Sequence, residues 1–76
     1  MRLRITDVNF TISHDWIFKL SDENGSEAFI MNAKFYKAHN LISPISKKEL
    51  DYLDKGYWLT CRTIDMEGRR IVTSIE

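Results

Sequence analysis

The side chains best suited to ligand binding in this sequence are basic and aromatic groups that recur at alternating positions. Guanidinium and ammonium groups pair with phosphate, and aromatic rings stack on nucleobases. The binding candidates that the alternation places on the outward side of strands are Arg2, Arg4, Lys19, Asn32, Lys34, Tyr36, Trp58 and Arg62.

The overall charge of the chain argues against a strongly basic binding protein. Eleven Lys and Arg residues balance eleven Asp and Glu residues, so the formal net charge at pH 7 is zero. Proteins that bind duplex DNA or RNA usually carry a basic excess, because phosphate contacts dominate their affinity. Local clustering of cations can still create a basic face on a neutral protein.

The sequence lacks the sets of residues that form catalytic or metal-binding sites. Cys61 is the only cysteine, so it can form neither an internal disulfide nor a zinc-finger ligand set, and we expect it in the core. His14 and His39 are the only imidazoles, and we expect His14 in a loop. The acidic residues 22–27 lack the ligand spacing of a calcium loop and predict a solvated turn. The sequence therefore predicts no catalytic residue, no metal site and no cofactor.

The elements that would position the candidates are mainly strands. Period-two alternation predicts five of them, over residues 2–12, 16–21, 27–36, 57–65 and 69–76. In the first strand the apolar phase slips between Ile5 and Val8, as it does at a β-bulge. Asn24-Gly25 predicts a tight turn, and so does Met66-Glu67-Gly68.

The third predicted strand is apolar on both faces. We assign Phe29, Met31, Ala33 and Phe35 to the core side, and Ala28, Ile30, Asn32, Lys34 and Tyr36 to the outer side. The second set mixes polar and apolar groups, which favours the solvent-facing side.

One helix is predicted over residues 46–55. Ser46 and Glu49 have the spacing of a capping box, Leu50 and Leu53 share a face, and Gly56 suits the left-handed residue after a helix. The chain is then a single domain, residues 1–76, with the order β-β-β-α-β-β.

This order resembles the oligonucleotide/oligosaccharide-binding (OB) fold, a five-stranded Greek-key barrel with one helix between the third and fourth strands. The bulge-like slip adds to the resemblance. So does the run LDKGYWLTC (residues 53–61), which is similar to the Leu-x-x-Gly-(Asp)-x-Val-x-Val entry into the fourth OB strand, although Tyr57 replaces the acidic residue. The resemblance is one of layout and identifies no particular OB family. An open α+β sheet with the helix on one face is the alternative fold.

The OB resemblance implies two candidate binding surfaces. First and fourth strands are neighbours in an OB barrel, as are third and fifth, so Arg2, Arg4 and Arg62 would share an outer wall with Trp58. The usual OB binding face, on the second and third strands, would present Lys19, Asn32, Lys34 and Tyr36. The alternative for the first surface is a packed Trp58 covered by an arginine stem.

The expected function is a non-enzymatic module that binds single-stranded nucleic acid weakly through an OB-type face. The alternative is a protein-interaction or homo-oligomerisation module that buries Ile17, Ile30, Val72 and Trp58 against a partner. We expect a cytoplasmic location, because the start of the sequence has no apolar signal region and no apolar run approaches the roughly 20 residues of a membrane span.

Overall fold

The computed structural model describes residues 1–10, 16–45 and 53–76, with Phe10 and Trp16 described by their backbone alone. The elements are β1 (Arg2–Phe10), β2 (Trp16–Ser21), β3 (Glu27–Ile30), α1 (Ala33–Ala38), β4 (Trp58–Met66) and β5 (Arg69–Ile75). The predicted order β-β-β-α-β-β is confirmed. Within the described residues no helix is long and apolar enough to cross a membrane.

The five strands form a closed barrel with the strand order β1-β2-β3-β5-β4. Closure comes from β1, which pairs antiparallel with both β2 and β4. β3 and β5 pair in parallel, with Phe29 opposite Ile71. Both strand neighbourships expected from the OB resemblance are therefore present, and the open sheet is excluded.

A bulge bends β1 where the apolar phase slips. The register with β2 shifts between Ile5, which lies opposite Leu20, and Asp7, which lies opposite Lys19. Thr6 is the extra residue, so Leu3 and Ile5 stay in the core and Val8 packs against the same core beyond the bulge. The predicted bulge is confirmed.

The third strand is shorter than predicted and faces the other way. β3 ends at Ile30, and Asn32 begins α1 by accepting a hydrogen bond on Oδ1 from the Phe35 N–H at 2.9 Å. Ala28 and Ile30, assigned outward from the sequence, are buried inside the barrel, whereas Phe29 lies on its outer side. The assignment was wrong because both phases of this segment are buried, one in the barrel and one beneath α1.

The helix that the structure describes between the third and fourth strands is α1, and the predicted helix over 46–55 falls largely outside the described residues. Residues 46–52 lie outside the described residues, and residues 53–55 are described and are not helical. Gly56 has the expected left-handed conformation, with φ at 91°. Its N–H donates to the Ile5 carbonyl at 2.8 Å, which ties the entry of β4 to the β1 bulge.

Among the described residues, two apolar clusters stabilise the domain. The first fills the barrel and consists of Leu3, Ile5, Phe18, Leu20, Ala28, Ile30, Ile45, Cys61 and Val72. The second, made of Met31, Tyr36 and Ile71, packs with half-buried side chains on the outer side of β2, β3 and β5, among them Ile17 and Phe29. The second cluster therefore covers much of the face that the OB resemblance assigned to ligand binding.

Candidate nucleic-acid interface

The β1–β4 wall brings together three of the predicted binding residues. Arg4 lies opposite Trp58 and Arg2 lies opposite Thr60, while the intervening pair, Leu3 and Leu59, faces inward. Because side chains alternate along a strand, Arg2, Arg4 and Trp58 share the outer side of the barrel.

Trp58 is held at the surface by Arg2. The Arg2 guanidinium lies over the indole, 5.4 Å from the ring centroid, in a cation–π arrangement. The Trp58 side chain nevertheless keeps 41% of its surface exposed. An aromatic ring oriented in this way and still open to solvent can stack on a nucleobase.

Arg4, like Arg2 and unlike Arg62 and Arg70, forms no ion pair within the described part of the chain. Arg62 lies 3.6 Å from a Glu76 carboxylate oxygen, and Arg70 lies 3.5 Å from Asp22. The Arg4 side chain is exposed and makes no ion pair or hydrogen bond with another described residue. Its guanidinium is thus free to pair with an anion from solution. Arg62 shares the outer phase of β4 with Trp58 but is engaged with Glu76.

Arg4 and Trp58 line an open depression of about 340 Å³, which we call the β1–β4 pocket. This volume is at the lower end of the range for small-molecule sites, about 300–1,000 Å³. The other lining residues are Thr6, Ser21, Asp22 and Glu23. Sequence reasoning missed all four. The bulge that exposes Thr6 and the turn that carries Glu23 were both visible in the sequence, but their proximity to Arg4 was not.

The rim of the pocket is a turn organised by Asp22. The Asp22 Oδ1 accepts hydrogen bonds from the N–H groups of Asn24 and Ser26, each at 2.9 Å. These backbone bonds, the one from Ser26 foremost, together with Arg70, hold the pKa of the Asp22 carboxyl below its usual value despite partial desolvation. The Asp22 carboxylate is therefore bonded within the turn, whereas the neighbouring Glu23 carboxylate makes no bond to another described residue.

The second predicted surface is not assembled. Lys19 pairs with Glu27 at 3.0 Å, Asn32 caps α1, and Lys34 is exposed on α1 rather than on a strand. Tyr36 is completely buried, and its hydroxyl donates to the Val72 carbonyl and accepts from the Met31 N–H. The outward assignment of Tyr36 was wrong, because the chain turns into a helix before reaching it.

The patch expected for a protein partner is also largely absent. Ile30 and Val72 are fully buried, and Ile17 packs against the second cluster. Val72 faces inward because β5 has its own register shift, opposite residues 62 and 63, which reverses the phase assigned from the sequence. Trp58 alone of the four remains exposed.

The side chains of His39 and Cys61 are engaged in contacts that stabilise the fold. His39 Nδ1 lies 2.9 Å from the Phe35 carbonyl oxygen and Nε2 lies 3.2 Å from Glu67 Oε1, and these two contacts raise the pKa of the imidazole. Cys61 is buried, as predicted, and desolvation raises the pKa of its thiol. His14 lies outside the described residues. Among residues 1–10, 16–45 and 53–76, no three His, Cys, Asp or Glu side chains are gathered as metal ligands.

The arrangement suits a ligand that offers an anion to Arg4 and a flat ring to Trp58. The closed barrel order is compatible with an OB-like layout. Comparison of the chain with protein-family models, with curated proteins and with solved structures finds no match.

Proposed function

We propose that this chain is a non-enzymatic module that binds single-stranded nucleic acid weakly through the β1–β4 pocket. The observation that carries the proposal is the unneutralised Arg4 beside a Trp58 ring that is 41% exposed. The OB-like strand order supports the same class of ligand, although the pocket lies on β1 and β4 and not on the usual OB face. That usual face is occupied by the second apolar cluster.

A single strand fits this surface better than a duplex. Stacking on Trp58 requires an unpaired base, because the faces of paired bases are occupied by their neighbours. One aromatic platform contributes about 1–3 kcal/mol. With only Arg2 and Arg4 available for phosphate on this wall and no net charge overall, the expected affinity is low.

The salt dependence follows from the number of cations. Two phosphate contacts on a single strand predict a slope of log K against log salt of about −1.4, at about −0.7 for each contact. The association constant should then fall about sevenfold between 50 and 200 mM salt. Removing one contact should bring the slope to about −0.7.

The test is a fluorescence-anisotropy titration of a labelled short oligonucleotide at these two salt concentrations. Arg4→Gln should weaken binding and halve the salt slope. Lys34→Gln is the matched control, because it removes one charge from an exposed position on α1 away from the pocket. Both variants should melt close to the parent protein, as exposed surface substitutions do.

Two results would contradict the proposal. One is the absence of salt-dependent binding by the parent protein. The other is an equal effect of Lys34→Gln and Arg4→Gln, which would indicate diffuse attraction rather than a site on the β1–β4 wall.

A further inference from the structure

The β1–β4 pocket is lined by one cation and one carboxylate whose side chains form no ion pair, either with each other or with another described residue. The cation is Arg4 and the carboxylate is Glu23. Two opposite charges on one small site, each without a partner, are best satisfied by a ligand that carries both an anion and a hydrogen-bond donor.

The other polar groups of the pocket are already committed. The Asp22 carboxylate accepts from two backbone N–H groups and lies 3.5 Å from Arg70. The Ser21 hydroxyl donates to the Asp22 carbonyl, and the Thr6 hydroxyl donates to the Lys19 carbonyl. The two hydroxyl protons are therefore used, so Glu23 is the carboxylate of the pocket that remains for a ligand, and Arg4 is the cation.

We infer that the β1–β4 pocket selects nucleotides whose base carries an exocyclic amine, such as cytosine, over those with a carbonyl at the same position, such as uracil. In this arrangement the base stacks on Trp58, the phosphate pairs with Arg4, and the amine donates to the Glu23 carboxylate. Carboxylates are suited to this role, since they accept hydrogen bonds from the N4 amine of cytosine. A uracil O4 would instead place an acceptor against a negative charge. The inference rests on the proposed function, since it concerns the same pocket.

The experiment compares oligo(dC) with oligo(dU) of equal length, at pH 7.5 and low salt, by anisotropy. These two ligands share the same backbone and ring size and differ in the base at N3 and at position 4. The parent protein should bind oligo(dC) about tenfold more tightly, the discrimination expected of one good amine-to-carboxylate contact.

Glu23→Ala should bring the ratio of the two affinities close to one, whereas Glu23→Gln, which keeps a carbonyl acceptor, should retain part of the preference. Glu27→Ala is the matched control: it removes an exposed carboxylate from the start of β3 and releases Lys19. It should raise the affinity for both ligands by a similar factor and leave their ratio unchanged.

The outcomes separate this inference from the proposed function. Salt-dependent binding of both oligonucleotides with equal affinity would overturn the selectivity and leave the binding function standing. An unchanged ratio in Glu23→Ala would also overturn it, by showing that another group reads the base. No binding of either oligonucleotide at low salt would overturn both.

Discussion

Replacing Tyr36 by phenylalanine should destabilise the domain strongly, although the change removes a single oxygen atom. The Tyr36 side chain has no exposed surface, and its hydroxyl joins the Met31 N–H to the Val72 carbonyl. These two groups belong to the chain just beyond β3 and to β5, so the phenol links the segment that leads into α1 to the strand next to β3 in the barrel. Phenylalanine keeps the ring but leaves both backbone groups without this partner.

The magnitude follows from the two lost bonds. A buried hydrogen bond contributes about 1 kcal/mol net, and an unsatisfied buried group costs about 1–3 kcal/mol. Tyr36→Phe should therefore lower the free energy of unfolding by about 2–3 kcal/mol. For a domain of this size 1 kcal/mol corresponds to about 4–8 °C, so the melting temperature should fall by about 8–24 °C.

The assay is thermal and urea unfolding followed by circular dichroism, with Tyr57→Phe as the matched control. Tyr57 is 53% exposed, and the same substitution there should change stability by less than about 0.5 kcal/mol. A Tyr36→Phe protein that melts within two or three degrees of the parent would refute the reasoning, since it would show that the hydroxyl is not shielded from water.

Alkaline titration gives an independent measurement of the same group. Burial raises the pKa of Tyr36 to about 12, above its usual value of 10.0. Because the folded-state pKa is the higher one, the stabilisation from the neutral phenol is complete below pH 10 and is lost as the pH rises through about 12. The parent protein should lose stability over this range more steeply than Tyr36→Phe does.

Two further predictions concern titratable groups outside the pocket. The pKa of His39 is raised by its bonds to an α1 carbonyl and to Glu67, so the stabilisation it provides is complete below pH 6.5 and is lost as the pH rises through the folded-state pKa. Glu67→Gln should lower the His39 midpoint in an NMR titration, and an unchanged midpoint would show that Glu67 does not interact with the imidazole. Cys61 is 1% exposed with a raised thiol pKa, so a thiol reagent at pH 8 should modify the native protein far more slowly than the protein in guanidinium chloride. Equal rates in the two conditions would contradict burial of the thiol.

Local features of the chain were predictable where the conformation depends on neighbouring residues. The slip between Ile5 and Val8 indicates the β1 bulge. Both side chains can face the core only if one extra residue lies between them in the strand. Glu67 and Gly68 form the two-residue turn between β4 and β5, both with positive φ, as a tight hairpin requires. The strand neighbours followed from recognising the β-β-β-α-β-β order.

The end of β3 was not predictable from alternation. The segment after Ile30 has apolar residues in both phases, a pattern that suits a strand buried on two sides as well as a helix lying on a sheet. What distinguishes them is Tyr36, whose hydroxyl reaches a carbonyl 36 positions away along the chain. No local window of sequence contains that partner. The error then carried over to the candidate surface built on Lys34 and Tyr36.

The candidate site also has a part that the sequence predicts and a part that depends on the tertiary structure. Alternation along β1 and β4 places Arg2, Arg4 and Trp58 outward, and recognition of the strand order was enough to bring them to one wall. The acidic rim was decided by the register of β1 with β2, in which Arg4 lies opposite Ser21 beyond the bulge. Because Ser21 leads directly into the turn that carries Glu23, this register places a carboxylate on the same pocket as Arg4, which lies on the other strand of the pair.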